Sequence, residues 1–340
     1  MKKKLPLVSI ICTAYNHEPY IRQCLEGFAM QKTNFPIEVL ISDDASTDKT
    51  ADIIREYEAK YPEMFVTFYH KENLYSQGIG FFSEELCSNA QGKYIALCEG
   101  DDYWTDPLKL QKQVNFMEKN QEFSICFHPV KVIFNHHNRK SYIYPSSSQR
   151  FFKSILSADD LIWRNFIQTN SVLYRSRYDE KGISILKNIP LSMLPGDYYI
   201  HLLFAKYGKI GFINDVMAVY RRHDGGLWQH DPFYKFPLEC RKFHVEVQKL
   251  FPNQYKDAIE RNLVYLYKSL IESSIKYQDD SKLKTVLNLY PDDIQFIICS
   301  YQQILQSPSF KIGKIMGQPL VRGESFLRKM KQWFRDKFLH

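Results

Sequence analysis

The sequence has none of the glycine-rich loops by which the commonest nucleotide enzymes hold phosphate. There is no G-x-x-x-x-G-K-[ST], and no G-x-G-x-x-G follows the first apolar run. A P-loop kinase and a dinucleotide-dependent oxidoreductase would both lack their anion cradle. The seven cysteines (Cys12, Cys24, Cys87, Cys98, Cys126, Cys240, Cys299) stand singly, with no C-x-x-C and no metal-finger spacing. That excludes a zinc ribbon and reads as reduced thiols rather than a disulfide framework. No window holds the roughly 18 apolar residues of a membrane span. The opening "MKKKLPLVSIICTAYN" has too short an apolar run for a signal peptide and no small-residue cleavage site. A cytoplasmic protein is expected. Internal repeats are also missing, and the net charge is only +7, so where charge is placed matters more than its total.

What is present is a folding chain. Its 340 residues, 44% hydrophobic and 24% charged, can bury a sizeable core. Aromatic content of 15% argues against disorder and suggests aromatic-lined binding surfaces. "LVSIICTAY" (7–15) and "IEVLISDD" (37–44) are near-continuous apolar runs, as expected of strands covered on both faces. "IRQCLEGFAM" has helical spacing between them. "STDKTADIIREYEAKY" opens with Ser/Thr/Asp capping chemistry and continues as an amphipathic helix. "MFVTFYH" and "KYIALCEGDD" supply two further strands, with the helical "GFFSEELCSNAQG" between them. This alternation predicts a doubly wound, mostly parallel α/β sheet. Beyond residue 120 it weakens: "YIYPSSSQR" is loop-like, "SADDLIWRNF" helical, and "KIGFINDVMAVYRRH" strand-rich. From about Phe233 the chain reads as helical to the end.

Two acidic groups stand just past strand ends: Asp43/Asp44, and Glu99/Asp101/Asp102 within "CEGDDYW". That is the edge at which open α/β sheets bind ligands. Ionised carboxylates cannot be buried together unpaired, so these turns are either solvated or meant for something positive. Hard oxygen ligands suit Mg²⁺ or Mn²⁺ held jointly by carboxylates and substrate phosphates. An upstream Asp pair can accept hydrogen bonds from a nucleoside base or ribose. With no phosphate loop in the chain, the ligand these residues fit is a nucleoside diphosphate carried by a metal.

Taken in order, these segments resemble the family 2 glycosyltransferases of GT-A fold. "VSIICTAYN" resembles that family's opening strand, and "DDASTDKT" its N-D-G-S-T-D motif, with Asp43 for the Asn, Asp44 for the Asp and Ala45 for the Gly. "CEGDDYW" is similar to the D-x-D region, with Glu99 where many members carry Asp. "PGDYYIHLLFAKYG" resembles the segment that holds the general base, and "VYRRH" followed by "DGGLW" resembles the Y-R-x-H segment. The resemblance covers about residues 5–230. It implies Asp197 as the catalytic base. It places Thr13, Tyr15, Asp43, Asp44, Asp101, Arg221 and Arg222 on the donor nucleotide, and Asp101, Asp102 and His223 on the metal. Trp228 would lie beside the acceptor, and Trp104 either beside the acceptor cleft or in the core.

The expected activity follows from charge. Breaking the bond between sugar C1 and the diphosphate develops negative charge on the leaving group, which Mn²⁺ or Mg²⁺, His223 and an arginine would stabilise. A carboxylate such as Asp197 takes the proton of the attacking hydroxyl. A single displacement inverts the anomeric centre, as the resemblance implies. The expectation is a metal-dependent inverting glycosyltransferase. It would move a sugar from a nucleotide-diphosphate donor, a UDP-sugar favoured, to a glycan or lipid-linked saccharide in surface polysaccharide synthesis. Two alternatives stand beside it. A nucleotidyltransferase of sugar phosphates would want a Gly-rich basic loop where this chain has "TAYNHEPY". A non-catalytic glycan- or membrane-binding protein would not need Asp101, Asp102, Asp197 and His223 together. Nucleic acid is not expected as a partner, because the acidic rim would repel its phosphates.

Residues 1–230 are expected to form the catalytic domain and 231–340 a helical extension. "ESFLRKMKQWFRDKFLH" (324–340) sets Phe326, Met330, Trp333, Phe334 and Phe338 along one helical stripe. Arg322–His340 carries six Lys/Arg against two acids. A basic amphipathic helix of this kind suits peripheral binding to an anionic membrane, here the inner face of the cell membrane and an undecaprenyl-linked acceptor.

Overall fold

A computed structural model describes residues 5–78, 84–135, 139–146, 155–176, 184–189, 195–226, 235–277 and 279–297. Strands β1 (Val8–Ala14), β2 (Ile37–Asp43), β3 (Phe65–Tyr69) and β4 (Tyr94–Leu97) lie parallel in the order β3-β2-β1-β4. Helices α1 (Ile21–Ala29), α2 (Thr50–Lys60) and α3 (Glu84–Asn89) occupy the connections. The sheet continues through β10 (Leu173–Arg175), β6 (Phe123–Phe127), β11 (Lys209–Phe212) and β9 (Ile155–Leu156). Within it β10 runs against both its neighbours and β9 against β11. A second sheet has the order β5 (Tyr103–Trp104), β12 (Ala218–Arg222), β7 (Val130–Phe134), β8 (Tyr142–Tyr144).

The continuous apolar run of β1 is explained by two cores, one on each face of the large sheet. Ile10 and Cys12 pack in a cluster with Leu25 and Phe28 of α1 and with Leu110 and Val114 of α4 (Lys109–Lys119). Ile11 and Leu97 point the other way, into a cluster with Tyr198 and Leu202 of α6 (Gly196–Ala205). Period-2 alternation assigns successive residues to opposite layers. Ile21, Cys24, Leu25 and Phe28 follow the helical i, i+3, i+4, i+7 pattern, and all are buried. Each such side chain contributes about 1.5–3 kcal/mol by leaving water.

The contacts divide the chain into two units, residues 1–273 and 274–340. The first unit runs past the boundary expected at 230, because α7 (Pro237–Leu250) buries Phe243 and Val247 in the Tyr198 cluster. The Tyr198 and Phe243 rings lie 4.8 Å apart. Helix α5 (Ala158–Trp163) and the start of α8 (Lys256–Tyr277) also belong to this unit. The second contains α9 (Ser281–Leu289), which buries Leu283, Val286 and Leu287. The basic stretch 322–340 and Trp228 lie outside the described residues. Among the described residues no helix is long and apolar enough to cross a membrane.

Candidate active site

Strand β1 has β2 on one side and β4 on the other, so the chain order reverses between β1 and β4. This switch point, at the carboxyl ends of the strands, is where open α/β sheets take ligands. The turn Cys98–Asp102 leaves β4 there and folds back onto β1, the Gly100 N–H donating to Thr13 O at 2.9 Å. A Cβ on Gly100 would stand 2.9 Å from His17 Nδ1 and 2.9 Å from Ile21 Cδ1. Glycine is therefore required by close packing, which leaves its acidic neighbours to face the rim.

Glu99, Asp101 and Asp102 each offer an oxygen within 4.8 Å of the others. Asp102 is 1% exposed; its Oδ1 accepts the Arg221 N–H at 2.8 Å. His223 Nε2 donates to Asp101 Oδ2 at 3.0 Å, and His17 Nε2 lies 3.9 Å from the same oxygen. The other oxygens, Asp101 Oδ1 and Asp102 Oδ2, are buried without a hydrogen-bond partner. Burial, then the Asp101 and Asp197 charges, pushes the Glu99 carboxyl well above the usual carboxylate range. Burial and the Asp101 charge do the same to Asp102. Burial also pushes Asp101 upward, but the His223 hydrogen bond and the two imidazoles hold it below its ordinary value. Burial drives the His17 imidazole pKa down. A cluster of hard oxygens with two orphaned acceptors fits a divalent cation, and a cation would reverse the repulsion that raises these pKa values.

The second sheet supplies the opposite wall. Strand β12 carries Arg221 and, at its end, His223, whose ring lies 4.7 Å from Tyr20. The Arg221 guanidinium sits between Tyr20 and Tyr103, donates to Asp101 O at 2.6 Å and also bonds Gln23 Oε1. Its terminal nitrogens thus brace the acidic turn. Arg222, on the opposite face of β12, lies over Phe134 at 5.9 Å. The structure therefore separates the two arginines that the sequence groups together.

The β2 end is more closed than its acidity suggests. Asp43 is 3% exposed; its Oδ2 accepts the Ser46 N–H at 3.2 Å, while Oδ1 is buried without a partner. Asp44 accepts the Leu74 N–H at 2.6 Å and the Tyr75 N–H at 3.1 Å, so its carboxylate fastens the loop after β3. Asp48 caps α2 through the Thr50 N–H and ties Glu18 N to the same turn. Thr13 is half-buried at the end of β1, and Tyr15 is 44% exposed beside it.

Asp197 stands in the first turn of α6, after Pro195 in extended conformation. It accepts the Thr169 hydroxyl at 3.3 Å, and burial raises its pKa. The structure brings Asp197 close enough to Glu99 for their charges to interact.

Of the two positions open to Trp104, the structure shows the core and not the acceptor cleft. Its indole is 2% exposed, packs on Phe28 with centroids 4.9 Å apart, and donates to Asn170 O at 2.9 Å. A side chain so enclosed is core and cannot wall an acceptor cleft. The sequence reading missed His17, Tyr20, Tyr103 and Thr169. His17 and Tyr20 stand in "TAYNHEPY", directly after the first strand, and Tyr103 in "CEGDDYW", so position alone signalled these three; Thr169 had no such signal.

Comparisons with known proteins give the family of the chain. An uncharacterized protein of Mycobacterium tuberculosis is 47% identical over 223 residues, 65% of this chain and 60% of that protein, so the chain spans less than two thirds of this relative's length. A Bacillus subtilis protein named for teichuronic acid biosynthesis, the glycosyltransferase TuaG, is 37% identical over 120 residues, 35% of this chain and 45% of its own. Among solved structures, S. aureus TarS 1-349 in complex with UDP-GlcNAc superposes with a TM-score of 0.59 at 18% identity, over 85% of this chain and 81% of that one, which shows the GT-A-type fold. The model of Glycosyl transferase family 2 matches residues 9–183, from β1 through the acidic turn to β10, and the chain belongs to that family.

Proposed function

We propose that this protein is a divalent-cation-dependent, inverting glycosyltransferase that moves a sugar from a nucleoside-diphosphate donor to a saccharide acceptor in surface polysaccharide synthesis. The observation that carries the reading is the convergence of Glu99, Asp101 and Asp102, with two orphaned buried oxygens, at the β1/β4 switch point. Asp101, with Glu99 or Asp102 beside it, would hold Mn²⁺ or Mg²⁺. When bound, the cation neutralises the diphosphate and the charge it gains as it leaves.

The chain's own groups do the rest. The orphaned Oδ1 of Asp43 is an acceptor for the imide N–H of a base, which uracil, thymine and guanine offer and cytosine does not. TarS has been crystallised with UDP-GlcNAc, and uracil is the base favoured here. Arg221 holds the acidic turn in register, and His223 holds Asp101. Asp197 takes the proton of the acceptor hydroxyl as that oxygen attacks C1; its raised pKa makes it a stronger base than an ordinary carboxylate. The Thr169 hydroxyl fixes its orientation. The relation to TuaG supports the surface-polysaccharide setting. The basic segment 322–340 supports a lipid-linked acceptor at the cytoplasmic face of the membrane.

The test is calorimetric binding of UDP, GDP, dTDP and CDP, each with Mn²⁺ and with EDTA. UDP should bind with Mn²⁺ and not with EDTA, and CDP under neither condition. Asp197→Asn should keep UDP binding within about twofold and lose at least about a hundredfold in transfer. Binding of no nucleotide under either condition would remove the proposal.

A further inference from the structure

A second concave site lies far from the acidic rim. Leu156, Asp159, Trp163, Arg164, Phe166 and Arg261 line a cavity of about 170 Å³ at the β9 edge of the large sheet. Four strand spacings of about 4.8 Å separate β9 from β4, so the cavity is roughly 19 Å from the acidic turn across the sheet. From its residues we infer that it binds a saccharide chain, with one pyranose ring seated against Trp163. The inference rests on the proposed function only in taking that saccharide to be the acceptor.

The first argument is how Trp163 is held. It ends α5 and is 50% exposed, yet the backbone beneath it is pinned from three directions. The Tyr198 hydroxyl donates to Leu161 O at 2.7 Å, with Ile162 O at 2.9 Å. Asn262 Nδ2 on α8 donates to Ile162 O at 3.0 Å, with Trp163 O at 3.4 Å. At the other end of the helix, Ser157 and Asp160 form a capping box. A large apolar ring is thus left in water on a fixed support. A rigid aromatic platform lowers the ordering cost of binding.

The second argument is the chemistry around the ring. Asp159 is exposed and lies four residues before Trp163, on the same helical face. Arg164 and Arg261 line the same cavity, and the Arg261 Nε–H donates to Asp257 O at 3.1 Å. A sugar ring presents C–H faces to an indole, and its hydroxyls both donate and accept. Carboxylate acceptors and guanidinium donors beside one aromatic face meet both needs. At about 10–15 Å³ of such volume per water, the cavity has room for a ring and its hydroxyls. Asp159 and Asp160 argue against an anionic lipid surface, which would repel them. The site suits a growing chain whose reactive end lies at the acidic turn while an earlier sugar is held at β9.

The experiment uses the full chain without donor or cation. Trp163 fluorescence and calorimetry are followed against tetrasaccharides of glucose, galactose, mannose, rhamnose and N-acetylglucosamine. At least one should bind, about tenfold or more weakly to Trp163→Ala, with Trp163→Phe recovering most of the affinity. Asp159→Asn should weaken it as well, while UDP binding, measured separately with Mn²⁺, stays unchanged in all three variants. Binding of none of the sugars, or equal binding by Trp163→Ala, overturns the inference. So does loss in Trp163→Ala of retention on phosphatidylglycerol vesicles with sugar binding intact. Loss of the metal-dependent UDP binding in the unaltered protein would remove the proposed function and leave this site standing.

Discussion

Replacing Asp102 by asparagine asks whether the acidic turn is built for a cation. Asparagine keeps an acceptor for the Arg221 N–H, now bonded to Oδ1 at 2.8 Å, and removes one of three charges whose oxygens lie within 4.8 Å. Two unit charges at that separation repel by about 3 kcal/mol at an effective dielectric near 20. In EDTA the variant should therefore be more stable than the natural protein, by up to about 3 kcal/mol, or roughly 6 °C in Tm for a unit of this size. The gain should depend on pH. The folded pKa values of Glu99 and Asp102 are raised, so the folded protein keeps protons that the unfolded chain has lost. The stability tied to those protons is complete below the ordinary carboxylate values near pH 4 and disappears as pH rises through the folded values. The advantage of Asp102→Asn should accordingly be small at pH 4 and larger at pH 8. Manganese should invert the order. At a hundredfold excess over its Kd a cation stabilises the natural protein by about 2.7 kcal/mol, and the variant should gain little. Thermal and urea denaturation in EDTA and in Mn²⁺, at both pH values, reads all four conditions. A variant less stable in EDTA that keeps the full manganese shift would refute the reasoning.

Three further outcomes follow from single residues. Ala45 has φ +60°, in the left-handed region, where the family motif resembled by "DDASTD" carries glycine; Ala45→Gly should raise stability by about 1 kcal/mol in urea denaturation, and a loss would show that the turn is not strained. Trp104→Ala should cost about 3–5 kcal/mol by opening the core beneath Phe28, whereas a cleft-wall tryptophan would lose acceptor affinity at unchanged stability. Lys109 is fully buried beneath Trp104, donates to Gln113 Oε1 at 2.7 Å, and has its pKa pushed down by burial to about 7. The unfolded chain keeps that proton to near pH 10.4, so stability should rise with pH above 7, by up to about 1.4 kcal/mol per unit. Lys109→Met should flatten the rise, and an unchanged slope would place its source elsewhere.

The large sheet was legible because its strands obey simple rules. β1 and β2 are apolar on both faces since both faces are covered, and the acids at the ends of β2 and β4 stand where a chain leaves a parallel sheet. The second sheet was less legible. β5 has two residues and β8 three, too short for any periodic signal. Pairings such as β5 with β12 join positions more than a hundred residues apart. The partners of Asp44 were illegible for a related reason. An exposed-looking Asp beside a turn is equally suited to a ligand and to backbone amides, and only the fold of the loop after β3 decides that Leu74 and Tyr75 take it. Arg221 and Arg222 show the same limit in a different form, since adjacent residues on a strand face opposite ways and the sequence does not say which way is inward.

The short second sheet also explains how residues so distant in sequence can act as one site. Asp102 accepts from the Arg221 backbone on β12, and Asn170 Nδ2 donates to Val219 O on the same strand. Trp104, two residues beyond Asp102, closes the frame by donating to Asn170 O. Asn170 is the neighbour of Thr169, whose hydroxyl orients Asp197. The acidic turn, the strand that carries Arg221 and Asp197 on α6 are thereby tied to one buried frame; three of its four bonds end on backbone groups, and the fourth joins the side chains of Thr169 and Asp197. Backbone partners do not change rotamer, so the fold sets how far the acidic turn lies from the helix that carries Asp197. Substitutions that break this frame, at Asn170 or Trp104, should therefore reduce transfer by misplacing Asp197 relative to the acidic turn, while neither residue touches the reacting atoms.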